Sequence, residues 1–101
     1  MMQPLFSALP VRPQILQAIS ELGFQEMTEI QQKAIPPLLE GKDVIAKAPT
    51  GTGKTYAFGI PLIQQIDPEI PEIQSVILAP TRELATQICD DLRALTRFLP
   101  Q

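Results

Sequence analysis

The sequence predicts an α/β chain, with four or five helices around about two short parallel strands. Three observations carry that prediction. Two short, β-branched and apolar runs, "DVIAKA" (43–48) and "SVILAP" (75–80), read as strands, and each leads into a helical pattern. A glycine-rich loop joins the first run to its helix. Ahead of both, apolar residues recur at helical spacing. Strand–loop–helix–strand is the βαβ unit of a parallel sheet, and its crossover is right-handed by strong precedent.

In chain order, Val11, Ile15, Ala18, Ile19 and Leu22 share one helical face. Pro13 suits a first turn and Gly23 the position past the end, so a helix is predicted over about 12–22. In "GFQEMTEIQQKAIPPLLEGKD", Thr28 reads as an N-cap, with Ile30, Ala34 and Ile35 facing inward. Pro36 should kink or stop that helix, and Gly41 should end any continuation through Leu38 and Leu39. After the first strand and its loop, a helix is predicted over about 54–66, with Pro61 as a local irregularity. "DPEIPEIQ" is a proline-punctuated loop before the second strand. The last helix carries Leu84, Ile88, Leu92, Leu95 and Leu99 on one stripe and is ended by Pro100. Residues 1–41 thus form a helical region, and 42–101 form the βαβ unit plus a final helix.

Composition narrows the function. A chain of 101 residues that is 45% apolar and 19% charged is one soluble globular unit at most. No apolar run approaches the roughly 18 residues of a membrane span, so no membrane partner is expected. "MMQPLFSALP" lacks the basic-then-apolar order of a signal peptide. The single cysteine, Cys89, precludes an intrachain disulfide and suits a reducing, cytoplasmic setting. With no histidine, a zinc site is disfavoured. A net charge of −3 and a pI near 4.8 count mildly against bulk attraction to nucleic acid, so any such role falls to a few placed groups.

The loop "APTGTGKT" (48–55) is the first place where chemistry is legible. Gly51 and Gly53 clear side chains from a backbone that must approach an anion. The helix that follows aims its positive N-terminal end at the same point. Lys54 can reach outer phosphates and the Thr55 hydroxyl can coordinate Mg²⁺. The strict pattern begins with glycine where this chain has Ala48, and the plainer alternative is a flexible turn. Loop composition, lysine, threonine and the flanking elements together favour a phosphate loop.

Three stretches together resemble the DEAD-box RNA helicases. "GFQEMTEIQ" (23–31) is similar to that family's Q motif, with an isolated aromatic, Phe6, 17 residues ahead of Gly23. "APTGTGKT" is similar to its motif I, in which alanine replaces the first glycine, and "PTRELA" (80–85) to its motif Ia. The resemblance spans nearly the whole chain and implies part of a RecA-like P-loop domain, with ATP and Mg²⁺ as cofactors and single-stranded or duplex RNA as a partner. It implies a nucleotide site made of Phe24, Gln31, Ala48, Pro49, Thr50, Gly51, Thr52, Gly53, Lys54 and Thr55. Lys54 and Thr55 would act in catalysis, with Thr55 on the metal. Pro80, Thr81 and Arg82 would hold RNA phosphate.

Each assignment has a plainer alternative. A glutamine amide can bond adenine N6 and N7 together, with Phe24 stacking on the base; but Thr28-x-x-Gln31 is also a capping box. The residues alone leave those two open, and the resemblance favours adenine. Phe6 and Phe24 could be core aromatics. Thr81 and Glu83 could simply start a helix. "CDD" (89–91) sits mid-helix and reads as a solvated face rather than a metal pair.

The D-E-A-D and S-A-T strings, which in the family hold Mg²⁺ and help complete phosphoryl transfer, do not occur in this sequence. The expectation is therefore an N-terminal piece of an ATP-dependent RNA helicase, inactive alone in hydrolysis and unwinding. The competing expectation is a non-enzymatic nucleotide-binding or assembly module. In the family's sheet the two strands are not neighbours, so their edges should be open. Non-native pairing, self-association or partial disorder should follow.

Overall fold

The computed structural model describes residues 5–47 and 53–99. Helix α1 (Pro13–Glu21) starts on Pro13, whose fixed φ suits a first turn. It closes at Gly23, whose φ of +86° lets its N–H bond Ser20 O at 2.9 Å while the Phe24 N–H bonds Ile19 O at 3.3 Å. Ile15, Ala18 and Ile19 face inward as predicted, whereas Leu22 is exposed. A short 3-10 turn over Phe6–Ala8 precedes α1 and lays Phe6 in the core. The Phe6 N–H reaches Gln25 O at 3.0 Å, beside an isolated antiparallel bridge between Leu5 and Glu26.

Helix α2 (Glu29–Leu39) begins at Thr28 and runs through both Pro36 and Pro37. The helix does not stop at Pro36, one of the two outcomes expected there, and it continues through Leu38 and Leu39. Each proline forgoes one intrahelical hydrogen bond, but Ala34 and Ile35 are buried and hold the helix to its neighbours. It ends with the bonding pattern of α1: Gly41 N–H to Leu38 O at 3.1 Å and Lys42 N–H to Pro37 O at 3.0 Å.

Helix α3 (Lys54–Gln65) lies between α2 and α4 (Arg82–Leu95), and α1 also touches α4. Gly59 sets how closely α3 and α4 approach, because a β-carbon there would stand 2.7 Å from Leu92 Cδ2. Ile15, Ile19, Ile35, Ile60 and Leu95 are fully buried where the helices meet. Arg12 ties the start of α1 to the end of α3. Its N–H bonds Gln64 Oε1 at 2.8 Å, and its guanidinium bonds Ile66 O at 2.9 Å, a cation at the negative end of a helix.

The loop after α3 closes on itself. The Asp67 N–H bonds Gln74 Oε1 at 2.9 Å, and Gln74 Nε2 donates back to Asp67 O at 2.7 Å and to Ile70 O at 3.3 Å. Every residue from 67 to 75 is exposed.

The two predicted strands require correction. Among the described residues no strand ladder forms: 43–47 and 75–79 are unpaired, with Ile45 98% and Leu78 90% exposed. The residues have the right character, but a strand exists only when another strand satisfies its N–H and C=O groups. Nor do the two runs pair with each other, so the expected non-native pairing is not found there. The α4 stripe shows the same deficit. Leu95 is buried and Leu92 partly so, while Leu84 is 37% exposed; the helix ends at Leu95, so Leu99, expected on the same stripe, packs on the core from beyond it. The four α-helices and the 3-10 turn match the expected helix number. Helix packing alone holds the Cα radius of gyration at 13.3 Å, about the 13 Å of a compact chain this long.

Candidate nucleotide site

The end of the phosphate loop is set by one backbone geometry. Gly53 caps α3 in the left-handed region, with φ +81° and ψ +28°. A glycine cap offers no side chain, and the first intrahelical bond is Ala57 N–H to Gly53 O at 3.1 Å. The N–H groups that open α3 therefore have no helical acceptor, and no acidic residue stands in the first turn. Lys54 is exposed and Thr55 half-buried at this positive end. Such a terminus fits a phosphate group, and the Thr55 hydroxyl in the same turn is an oxygen of the kind Mg²⁺ accepts. Ala48, Pro49, Thr50, Gly51 and Thr52 lie outside the described residues.

Gln31 is 3% exposed, and both ends of its amide are bonded locally. Its Oε1 accepts the Thr28 N–H at 2.8 Å, and Thr28 Oγ1 accepts the Gln31 N–H at 3.4 Å, which completes the capping box. Its Nε2 donates to Gly53 O at 3.1 Å, 22 residues along the chain. That contact was not foreseen. The amide keeps one further N–H and one further lone pair, so capping does not use up its capacity to meet a purine edge. Phe24 is 40% exposed and available for stacking. Phe6, at 3%, belongs to the core, as its plainer alternative held.

Sequence reasoning missed Tyr56. Its ring meets Phe24 edge-on, with centroids 5.3 Å apart and planes at 63°, and Phe24 in turn lies 6.3 Å from Phe6. A cavity of about 460 Å³ opens beside it, lined among others by Lys54, Thr55 and Asp91. Asp90 is exposed as expected, but Asp91 is half-buried and faces Tyr56 rather than forming a purely solvated face. Burial first, then the Asp91 charge and a hydrogen bond to it, push the Tyr56 phenol above its ordinary pKa. A raised folded-state pKa contributes stability below the unfolded value that is lost as pH rises through the folded one. Tyr56 is the only tyrosine, so absorbance near 295 nm should show one phenol ionising above pH ~10, with unfolding easier on the alkaline side. Ionisation at or below the ordinary value would refute this.

The Pro80–Arg82 segment leads into α4. Thr81 caps α4, its Oγ1 accepting the Leu84 N–H at 3.1 Å, and Glu83 sits in the first turn. Those are features of an ordinary helix start, and Pro80 and Arg82 are exposed beside it. Neither Thr81 nor Arg82 lines the cavity at Lys54. Among the described residues no cluster of acidic, cysteine or histidine side chains could hold a metal by itself.

Residues 28–100 match the family profile described as "DEAD/DEAH box helicase". This chain belongs to that family. As a DEAD-box helicase segment it is 52% identical over 90 residues to the ATP-dependent RNA helicase CshA of Limosilactobacillus reuteri, covering 89% of this chain and 18% of that protein. The helicase fold is shared as well. A DEAD box protein from the hyperthermophile Methanococcus jannaschii superposes with a TM-score of 0.86 at 42% identity, over 90% of this chain and 25% of that one. Dbp5 of Saccharomyces cerevisiae, bound to RNA and ADP BeF3, superposes at 0.88 with 35% identity, over 93% and 25%. The chain thus spans about a fifth of the curated relatives' length, and its helices stand as they do in whole helicase domains of the RecA-like class.

Proposed function

We propose that this chain is the adenine- and triphosphate-holding portion of an ATP-dependent RNA helicase. The observation that carries this reading is the bond from Gln31 to Gly53, which joins the base-recognising side chain to the phosphate loop. Gln31 would bond the adenine edge and Phe24 would stack on the base. Lys54 and the residues of 48–53 would hold the phosphates, with the Thr55 hydroxyl on Mg²⁺. Bound Mg²⁺ would neutralise developing charge on the transferring phosphoryl group. Pro80, Thr81 and Arg82 would hold phosphates of single-stranded RNA at the start of α4. A cytoplasmic setting belongs to the same proposal and is consistent with the free, exposed Cys89.

Titrating the chain with Mg·ADP and Mg·GDP by calorimetry tests it. ADP should give binding heat, GDP should not, and Lys54→Ala should weaken ADP at least about tenfold through loss of a charged phosphate contact. No heat with either nucleotide would overturn the reading. RNA-stimulated ATP turnover by these 101 residues alone would overturn the proposal that they are inactive in isolation. The bare runs at 43–47 and 75–79 also support self-association, which light scattering should report as mass rising with concentration.

A further inference from the structure

The run at 43–47 has no partner within the chain, and the order of its residues says which partner it fits. Exposure alternates along it as on a strand with one covered face: Val44 is 37% exposed and Ile45 98%. Asp43, Ile45 and Lys47 therefore share the bare face, a carboxylate at one end, an ammonium at the other and an isoleucine between them. Neither Asp43 nor Lys47 has an ion-pair partner among the described residues. That pattern is complementary to its own reverse. Beside a second copy running antiparallel and centred on Ile45, each Asp43 stands opposite a Lys47, and the two Ile45 side chains meet. Parallel, in-register pairing would instead set Asp43 on Asp43 and Lys47 on Lys47. Surface area points the same way. The chain of 11.2 kDa exposes 7203 Å², whereas a compact monomer of that mass exposes about 5,700 Å². The excess, about 1,500 Å², is the share each copy contributes to an obligate dimer.

We propose that a second copy of this chain covers the run at 43–47, in a two-fold dimer whose strands pair antiparallel about Ile45. The inference rests on the self-association reading above and gives it a register. Pairing satisfies backbone N–H and C=O groups of 43–47 that are otherwise unpaired among the described residues. It is isologous, so it closes at two copies instead of growing into a fibre. The charged ends fix the register. A slip of two residues leaves Asp43 and Lys47 without each other, and a slip of one sets Ile45 against Ala46. Lys47 of one copy stands about 14 Å from Lys47 of the other, so the two chains enter their 48–53 segments at opposite ends of the ribbon.

Sedimentation equilibrium of the 101-residue chain tests it. The unaltered chain should follow a monomer–dimer equilibrium. Lys47→Asp and Asp43→Lys each turn two attractive cross-strand pairs into two repulsive ones, and each should raise the dimer dissociation constant about tenfold. Combining the two restores opposite charges and should bring the constant back to within about threefold of the original. Both residues are exposed and neither is assigned to nucleotide or RNA, so circular dichroism should show the helices intact in all three variants. A second readout is independent of charge. Ile45→Cys, in a chain whose exposed Cys89 is replaced by serine, should oxidise to a disulfide-linked dimer, because residues facing each other at the two-fold lie about 5 Å apart between Cα atoms. Val76→Cys in the same background is bare too but stands off the two-fold, and should stay reduced. Association indifferent to the single reversals, or a combined variant as weak as either of them, would overturn the inference and leave self-association standing. A chain that stays monomeric at every concentration would overturn the self-association reading, and this inference with it.

Discussion

Gly53→Ala is expected to destabilise the chain by about 3 kcal/mol, seen as a lower urea midpoint with an unchanged slope. Part of that, about 1–2 kcal/mol, is the cost of a side chain at a left-handed φ of +81°. The rest comes from Gln31. A β-carbon at position 53 would collide with the Gln31 amide nitrogen and lie 3.2 Å from its Cδ. Gln31 is buried and bonded, so it cannot swing clear without breaking the capping box, whose loss costs about 1 kcal/mol. Trimming Gln31 first should relieve the collision. Gly53→Ala combined with Gln31→Ala should therefore cost less than the sum of the two. Strict additivity, or an unmoved midpoint for Gly53→Ala, would show that the contact does not constrain the loop.

Ile60→Ala should be more damaging still. Ile60 has no exposed surface and sits on α3, the helix packed against both α2 and α4. Truncating such a residue costs about 2–5 kcal/mol in transfer and cavity terms. Small domains have only about 5–15 kcal/mol in total, and this one pairs no strands among its described residues. Thermal melts followed by circular dichroism should lose their cooperative transition at or near room temperature. Leu78→Ala is the informative contrast: at 90% exposure it should leave the melt unchanged within about 0.5 kcal/mol. Equal effects at the two positions would mean that the helical interface is not the core.

Legibility in the sequence followed the range of the interactions involved. Pro13, Thr28 and Gly23 act within a few residues of themselves, so helix starts and stops could be read directly. Whether α2 stops at Pro36 or runs on through Pro37 could not be read locally, because what holds the helix there is packing by Ala34 and Ile35 on other helices. "DVIAKA" and "SVILAP" were recognisable as strand-like, but whether a strand exists depends on a partner that no local pattern supplies. At the site, Lys54 and Thr55 announce themselves by spacing. The bond from Gln31 to Gly53 does not, since it joins residues 22 apart through a carbonyl that any amino acid would present. Tyr56 belongs to no recognised string, and only its position against Phe24 and Asp91 reveals it. The capping box and the adenine contact had looked like rivals for one glutamine. The capping box is formed, and it leaves the amide a free valence on each atom.

The segment from Asp67 to Gln74 has a use of its own. Its ends are held by the Gln74 side chain and its own backbone, and each of its residues is exposed. A peptide tag, a fluorescent insert or a new chain break placed near Glu72 should leave α2, α3 and α4 assembled, because the entropy of a longer surface loop grows only slowly with length. The molecule thus offers a permissive point at which α4 could be supplied as a separate polypeptide and recombined with the rest.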